Sequence, residues 1–370
     1  MSVSAEYIRE NVVPAFPFEG EFLTAAPYGS GHINDTFDPK FRLPDGSTKR
    51  YLLQRINTKV FQDPDGLMEN IVGVTSFLRN IILAKGGDPE RETLTVIPTK
   101  DGKPYFRDPD GGCWRVYQFI EDTISYDLVE KPEDFYMSAK AFGRFQMRLA
   151  DYPAATLHET IQLFHNTANR FANLKKAVEA DPLGRAKEVQ AEIEFAFARE
   201  ADTHFLLNLQ AKGEIPLRVT HNDTKLNNIL IYARTHDGLC IIDLDTVMPG
   251  LAHYDYGDSI RFGASTALED ETDLAKVSLD LGLFDVFTKG FLESAGSVLN
   301  PVEKETLPMG AKLMTFECGM RFLTDYLEGD TYFKVHREGH NLDRTRTQFK
   351  LVADMEAKWD EMNKIVSKYS

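Results

Sequence analysis

The sequence predicts an α+β fold of two lobes, a small β-rich N-terminal lobe over residues 1–119 and a larger, mostly helical C-terminal lobe over 120–370. Three observations carry this. The first third alternates short apolar runs with Gly, Asp and Pro turns, the mark of strands. From Glu121 onward, apolar residues recur at helical spacing. One short β-rich island, about 216–247, interrupts those helices.

In chain order, Glu21 to Ala26 reads as a strand that runs into a glycine loop, Tyr28-Gly29-Ser30-Gly31-His32. A second strand starts near Ile33, Asp45-Gly46 marks a hairpin turn, and Arg50 to Arg55 is the third strand. Asp63 or Asp65 can cap a helix whose apolar stripe is Leu67, Ile71, Val74, Phe77, Leu78 and Ile81, and Gly86-Gly87 ends it. Leu94 to Thr99 and Cys113 to Phe119 complete five strands. Glu133 to Leu149 repeats Phe135, Ala139, Phe142, Phe145 and Leu149 on one helical face, and further helices are expected at 185–210, 268–293, 302–328 and 347–368. No internal repeat or low-complexity linker separates them.

A chain of 370 residues suits one two-lobed unit or two domains, and 42% hydrophobic with 27% charged residues is a globular composition. No apolar run approaches the ~20 residues of a membrane span, and residues 1–25 lack a leader pattern. Cys113, Cys240 and Cys318 lie far apart with no CxxC pair, which implies a reducing compartment, hence a cytoplasmic location, and no zinc site. A net charge of −15 repels nucleic acid and anionic lipid, so the expected partner is a small molecule. A phosphate ligand would need local positive charge from metal ions, backbone N–H groups and a few basic residues.

The β-rich island contains Thr220-His221-Asn222-Asp223-Thr224-Lys225-Leu226-Asn227-Asn228-Ile229-Leu230. His-x-Asp-x-Lys-x-x-Asn resembles the catalytic loop shared by protein kinases and small-molecule kinases, and phosphoryl transfer gives each residue type a reason. A carboxylate orients the acceptor hydroxyl and takes its proton, Asp223 here. A cation two residues on, Lys225, offsets charge on the moving phosphoryl group. An amide oxygen five residues past the Asp, Asn228, can reach a metal on the phosphates. His221 is read as scaffold. Next, the apolar run Leu239 to Ile242 ends in Asp243 and Asp245; Asp243 is read as a Mg²⁺ ligand, and Asp245 as a second ligand or an orienting group.

Gly29, Ser30 and Gly31 are read as the phosphate-covering loop, although Asn34 stands where a third glycine would be. Adenine is expected at the hinge near Gln118 and Ile120. A phosphate-reaching Lys or Arg is expected on the third strand, yet the position holds Gln54; either Gln54 bonds the phosphates without charge, or a shift of one register brings in Arg55. Glu69 is the candidate partner for such a cation. His158-Glu159 and His165 are spaced by seven, not the HExxH four, so no metal site is read there.

The order of these segments resembles that of the aminoglycoside-phosphotransferase and choline-kinase group within the kinase-like fold. Within it, Pro27 to Asn34, Gly257 to Asp270, Glu317 to Leu323 and Asp325 to Asp330 resemble the bacterial N-acetylhexosamine 1-kinases, and the likeness runs from about residue 18 to 365. The resemblance implies ATP and Mg²⁺ as cofactors and transfer to the anomeric hydroxyl of an N-acetylhexosamine. It implies that His32 sits above the sugar, that Arg321 and Tyr332 line the sugar pocket, with Arg344 and Arg346 as further candidates, and that Asp255 lies behind the catalytic loop in a supporting role. It also tolerates glutamine at position 54. Two other readings stand beside it. One is a kinase of the same fold for an aminoglycoside, choline, homoserine or another sugar; a choline site should be rich in aromatic rings, and Trp114 and Trp359 are the only tryptophans. The other is a nucleotide-binding pseudokinase, against which the intact Asp223, Asn228 and Asp243 speak.

Overall fold

Six strands build the N-terminal sheet in the computed structural model, which describes residues 3–29, 31, 33–126, 128–235 and 237–370. They are β1 (Glu21–Pro27), β2 (Asp35–Arg42), β3 (Thr48–Ile56), β4 (Val96–Ile97), β5 (Phe106–Arg107) and β6 (Cys113–Gln118). The order is β1-β2-β3-β6-β4, with β5 also on β6 and every pairing antiparallel. The two-residue β5 was outside the five expected strands, because two residues carry no readable period.

Strand alternation gives this sheet two faces with different duties. Tyr51 and Leu53 of β3 turn outward with Phe37, Phe41, Trp114 and Val116, and Ile8, Val12 and Phe16 of the N-terminal segment close that core. The residues between them face inward. There α1 (Pro64–Ala84) lays Leu67, Met68, Ile71, Val74 and Leu78 against Ile56, Cys113 and Tyr117. Asp63, not Asp65, caps α1 by accepting from the Gly66 N–H at 3.0 Å. By length and composition α1 is apolar enough to cross a membrane, at a mean hydropathy of 1.3, which corrects the expectation of no such run. Its apolar residues here cover the sheet.

The chain leaves β6 and enters β7 (Thr123–Ile124), which pairs with β9 (Ile229–Tyr232) beside β10 (Gly238–Ile241); β8 (Arg218–Thr220) pairs with β11 (Met248–Gly250). The β-rich island is thus two small sheets, with the catalytic loop between β8 and β9. Around them pack α2 (Pro132–Arg148), α3 (Thr167–Ala180), α4 (Ala252–Gly263), α5 (Leu281–Ala295), α6 (Leu307–Glu328), α7 (His340–Ala357) and α8 (Trp359–Tyr369). The expected helix at 268–293 starts only at Leu281, because Asp280 caps it through the Gly282 and Leu283 N–H groups. The expected helix at 185–210 is broken into Gln190–Phe197 and Phe205–Ala211, and α3 and α4 were not foreseen. α4 is nearly all buried, so it shows no amphipathic stripe to read. It crosses α6 closely, where a Cβ on Gly257 would run into the Gly310 carbonyl.

Candidate active site

The catalytic loop keeps its shape because α4 stands behind it. The Asp255 carboxylate accepts from the His221 N–H (3.0 Å), the Asn222 N–H (2.8 Å) and Gln146 Nε2 (2.5 Å). Asp258 accepts from the Thr224 N–H at 3.0 Å and from Arg261 Nε at 3.0 Å. Thr224 donates its hydroxyl to the Asp255 carbonyl, and Ser259 donates its own to the Thr224 carbonyl. Two carboxylates one helical turn apart thereby collect three loop N–H donors, those of His221, Asn222 and Thr224, that have no sheet partner. Asn222 has φ 66°, a left-handed conformation that its amide secures by donating to the Thr246 carbonyl at 2.8 Å. His221 donates from Nε2 to the Ile242 carbonyl (2.9 Å), so Nδ1 is free to accept from the Asp223 N–H (3.3 Å). It thereby ties the loop to the segment that follows β10.

Asp223 is held from both sides. Lys225 Nζ lies 2.7 Å from Oδ1, and Asn228 Nδ2 lies 3.2 Å from Oδ2 and 2.8 Å from the Asp223 carbonyl. Burial would strip the proton from Lys225, but the charge of Asp223 outweighs it and raises the ammonium's pKa. The carboxylate is thus held in place and partly exposed.

Asn228 precedes β9 and Asp243 follows β10, and the bond from the Ile242 N–H to the Asn228 carbonyl (2.9 Å) brings these ends together. Asp243 has φ 58° and opens onto the cleft. Desolvation first, then the charges of Asp245 and Asp223, push its carboxyl up to about 6. That is the environment of a carboxylate awaiting a cation. Among the described residues no three His, Cys, Asp or Glu side chains form a cage. Asn228 and Asp243 offer a pair of oxygen donors that would hold Mg²⁺, which would supply charge neutralisation to the phosphates. Of the two expectations for Asp245, its contacts match the orienting group. The strand ends at Ile241, alternation stops, and Asp245 points instead to Arg115 of β6 (2.5 Å) and Asn34 Nδ2 (2.6 Å).

In the N-terminal lobe, Gly29 has φ 79°, which only glycine adopts without cost. Ser30 and His32 lie outside the described residues. Tyr28 meets Phe119 of the hinge edge-on at 5.6 Å, and the Arg50 guanidinium sits 3.7 Å from the Phe119 ring, so the start of the glycine loop closes down on the hinge. The Gln118 N–H is engaged by the Thr95 carbonyl (2.9 Å), and the Ile120 carbonyl accepts from the Thr123 hydroxyl (3.1 Å). Gln54 faces the cleft but gives its carbonyl oxygen to Arg115. Arg55 is on the outer face beside Trp114, so the alternative register does not occur. Glu69 bonds His158 at 2.7 Å on the surface and reaches neither residue.

Arg321 and Tyr332 come together in a cavity of about 220 Å³ lined by Arg170, Asn173, Lys176, Asp325, Glu328 and Phe333 among others. The Arg321 guanidinium is ringed by Phe164, Tyr332 and Phe333 at 5.3–5.9 Å. The loop carrying Tyr332 is pinned by Asp325, which accepts from the Thr331, Tyr332 and Phe333 N–H groups at 2.8–2.9 Å. Phe164, one of the rings around Arg321, is followed by His165, which reaches the catalytic loop. His165 pairs with Glu317 of α6 at 2.9 Å and meets the Asn222 carbonyl at 3.2 Å. Arg344 and Arg346 are occupied elsewhere, by Glu269 and Glu192.

The phosphotransferase enzyme family matches residues 27–284, more than half of the chain. The chain belongs to that family. Solved structures of similar fold include an aminoglycoside phosphotransferase from Alicyclobacillus acidocaldarius (TM-score 0.62, 12% identity, 96% of each chain covered). A choline kinase from Cryptosporidium parvum Iowa II is also similar (TM-score 0.53, 15% identity, 93% of this chain and 92% of that one), as is spectinomycin phosphotransferase in complex with ADP and spectinomycin (TM-score 0.53, 13% identity, 96% and 97%). At these identities the likeness is one of fold, the bilobal kinase-like α+β architecture.

Sequence reading assigned no role to Arg115, Arg170, Asp258, Glu317 or Asp325, although the last three lie in segments it singled out. A charged residue inside the apolar run Cys113 to Phe119 was the available signal for Arg115. His253, in the motif that opens α4, bonds the Thr306 hydroxyl at 2.8 Å, and burial lowers its pKa to about 4. The folded state therefore binds fewer protons than the unfolded one between about pH 4 and the ordinary histidine value near 6.5. Stability should fall as pH drops through that window, by up to roughly 3 kcal/mol. Urea unfolding of wild type and His253→Gln at pH 7 and pH 4.5 checks it: the gap between the two proteins should change with pH, and a constant gap would refute it.

Proposed function

We propose that this phosphotransferase is an ATP- and Mg²⁺-dependent kinase that phosphorylates the C1 hydroxyl of an N-acetylated hexosamine, giving the hexosamine 1-phosphate and ADP. The observation that carries the acceptor class is Arg321. Among the described residues no carboxylate pairs with its guanidinium, and Arg170 and Lys176 line the same cavity. Of the two acids there, Asp325 is consumed by its loop. A cationic lining repels an aminoglycoside or a choline, whereas unused N–H donors beside aromatic rings suit a neutral sugar with hydroxyl and amide oxygens.

In this reading ATP lies between the lobes, with adenine at 118–121 and its phosphates beneath 29–32. Mg²⁺ held by Asn228 and Asp243 would neutralise phosphate charge. Asp223 orients the C1 hydroxyl and accepts its proton, while Lys225 offsets charge on the transferring group. The acceptor attacks directly, with no covalent enzyme intermediate.

The test is Mg²⁺/ATP turnover on N-acetylglucosamine, N-acetylgalactosamine, glucose, choline and kanamycin, with phosphorus NMR of the product. An anomeric phosphate on an N-acetylhexosamine supports the proposal. Turnover on choline or kanamycin alone would replace it with another acceptor. ATP binding without turnover on any of them would favour a nucleotide-binding role. For Arg321→Ala, loss of charge-assisted hydrogen bonds should raise the sugar KM roughly 10- to 100-fold. The KM for ATP should stay within about twofold; equal changes in both would contradict a sugar-side role.

A further inference from the structure

Among the described residues of the N-terminal sheet, Arg115 is the one buried cation, at 1% exposure. It stands directly opposite Gln54 in the β3–β6 pairing. Opposed residues of an antiparallel pair share a face, with Cβ atoms about 4.5–5.5 Å apart. The Arg115 side chain therefore enters the cleft one strand away from where a third-strand lysine would emerge.

Its surroundings hold it there. Gln54 Oε1 accepts from Nε (2.9 Å) and Nη2 (2.7 Å), and the Gln54 amide in turn donates to the Thr36 hydroxyl at 3.1 Å. The guanidinium plane is thus clamped from behind, and Nη1 is sent across to the other lobe, 2.5 Å from Asp245 Oδ1. That contact is one of charge: neither atom has an aligned hydrogen bond. Asp245 also receives Asn34 Nδ2 (2.6 Å), and Asn34 Oδ1 takes the Asn57 N–H (2.9 Å). Arg115 consequently sits where the end of the glycine loop, the third strand and the metal-binding segment converge.

A buried pair kept for stability alone would be expected to have its donors satisfied. Here Nη1 meets Asp245 as a charge contact without an aligned hydrogen bond, and the charges of Asp245 and Asp243 both act on the guanidinium. The neighbouring Lys225 is taken by Asp223. A polyphosphate entering this cleft needs a cation, and a guanidinium offers it a two-pronged one.

We propose that Arg115, oriented by Gln54, is the cation that receives the α/β-phosphates, and that Asp245 holds it in place until the nucleotide arrives. Glutamine at position 54 is then a positioning residue, and the charge has moved to the adjacent strand. The proposal rests on the reading that the cleft takes a nucleotide, and is independent of the acceptor.

Calorimetric titration of the full chain with ADP and with adenosine, both with Mg²⁺, tests it. In Arg115→Lys, which keeps the charge but loses the fork, ADP affinity should fall at least tenfold while adenosine affinity stays within twofold. Gln54→Met, which removes the clamp and keeps the Arg115–Asp245 pair, should weaken ADP several-fold with the same indifference to adenosine. The double variant Gln54→Lys/Arg115→Gln, with the charge returned to the third strand, should recover ADP affinity. An unchanged ratio of ADP to adenosine affinity in whichever single variant folds makes Arg115 a structural strut and overturns the proposal. A wild type that binds neither ligand overturns the nucleotide reading itself, a distinct outcome.

Discussion

Asp223→Asn should fold, bind nucleotide, and lose turnover by about 10²- to 10⁴-fold, the usual worth of a positioned general base. The substitution keeps the side chain's shape and removes its charge and basicity. The loop should survive it, because the donors of His221, Asn222 and Thr224 end on Asp255 and Asp258, not on Asp223. Lys225 loses its partner at 2.7 Å but is half-exposed and can turn to solvent. The loss should therefore fall on kcat, with the KM for ATP and the melting temperature close to wild type. Wild-type turnover by the folded variant would remove Asp223 from the chemistry.

Asp255→Ala should do the reverse, costing stability first and activity as a consequence. Asp255 is fully buried, and its carboxylate terminates two backbone N–H groups and the Gln146 amide. Each stranded donor costs about 1–3 kcal/mol, so the total is expected at roughly 3–5 kcal/mol, a large share of a typical domain's stability. Asp255→Asn should recover little, since it turns one accepting oxygen into a donor facing other donors. The urea midpoint is the measurement. An unshifted midpoint for Asp255→Ala would mean that the loop holds its left-handed turn at Asn222 without α4. The contrast between the two variants separates a group that acts on substrate from one that shapes the loop.

Among the site residues, those spaced along one stretch of chain were legible and those joined across the fold were not. Asp223, Lys225 and Asn228 share one loop, and local spacing alone puts an amide beside a carboxylate, as the 2.8 and 3.2 Å contacts of Asn228 show. Asp245 failed that logic. Alternation applies only while the strand lasts, and it ends at Ile241, two residues before the backbone turns left-handed at Asp243. The alternative that brought Arg55 into the cleft in place of Gln54 failed for a related reason. Register between β3 and β6 is a tertiary fact, and it sets the Arg115 cation opposite Gln54 on the same face.

What the sequence determined by itself was the two-lobed α+β plan, the strands of the first lobe, and the acid, amide and lysine of the catalytic loop, because periodicity and short spacing are local properties. What only the tertiary structure decided was which distant groups complete them. Examples are Asp258 behind the loop, Arg115 against Gln54 and Asp245, and Asp325 beneath the Tyr332 loop, groups brought together by packing over separations that leave no periodic trace. Buried charges are placed by the partners that offset their desolvation, and those partners are chosen in space, not in sequence.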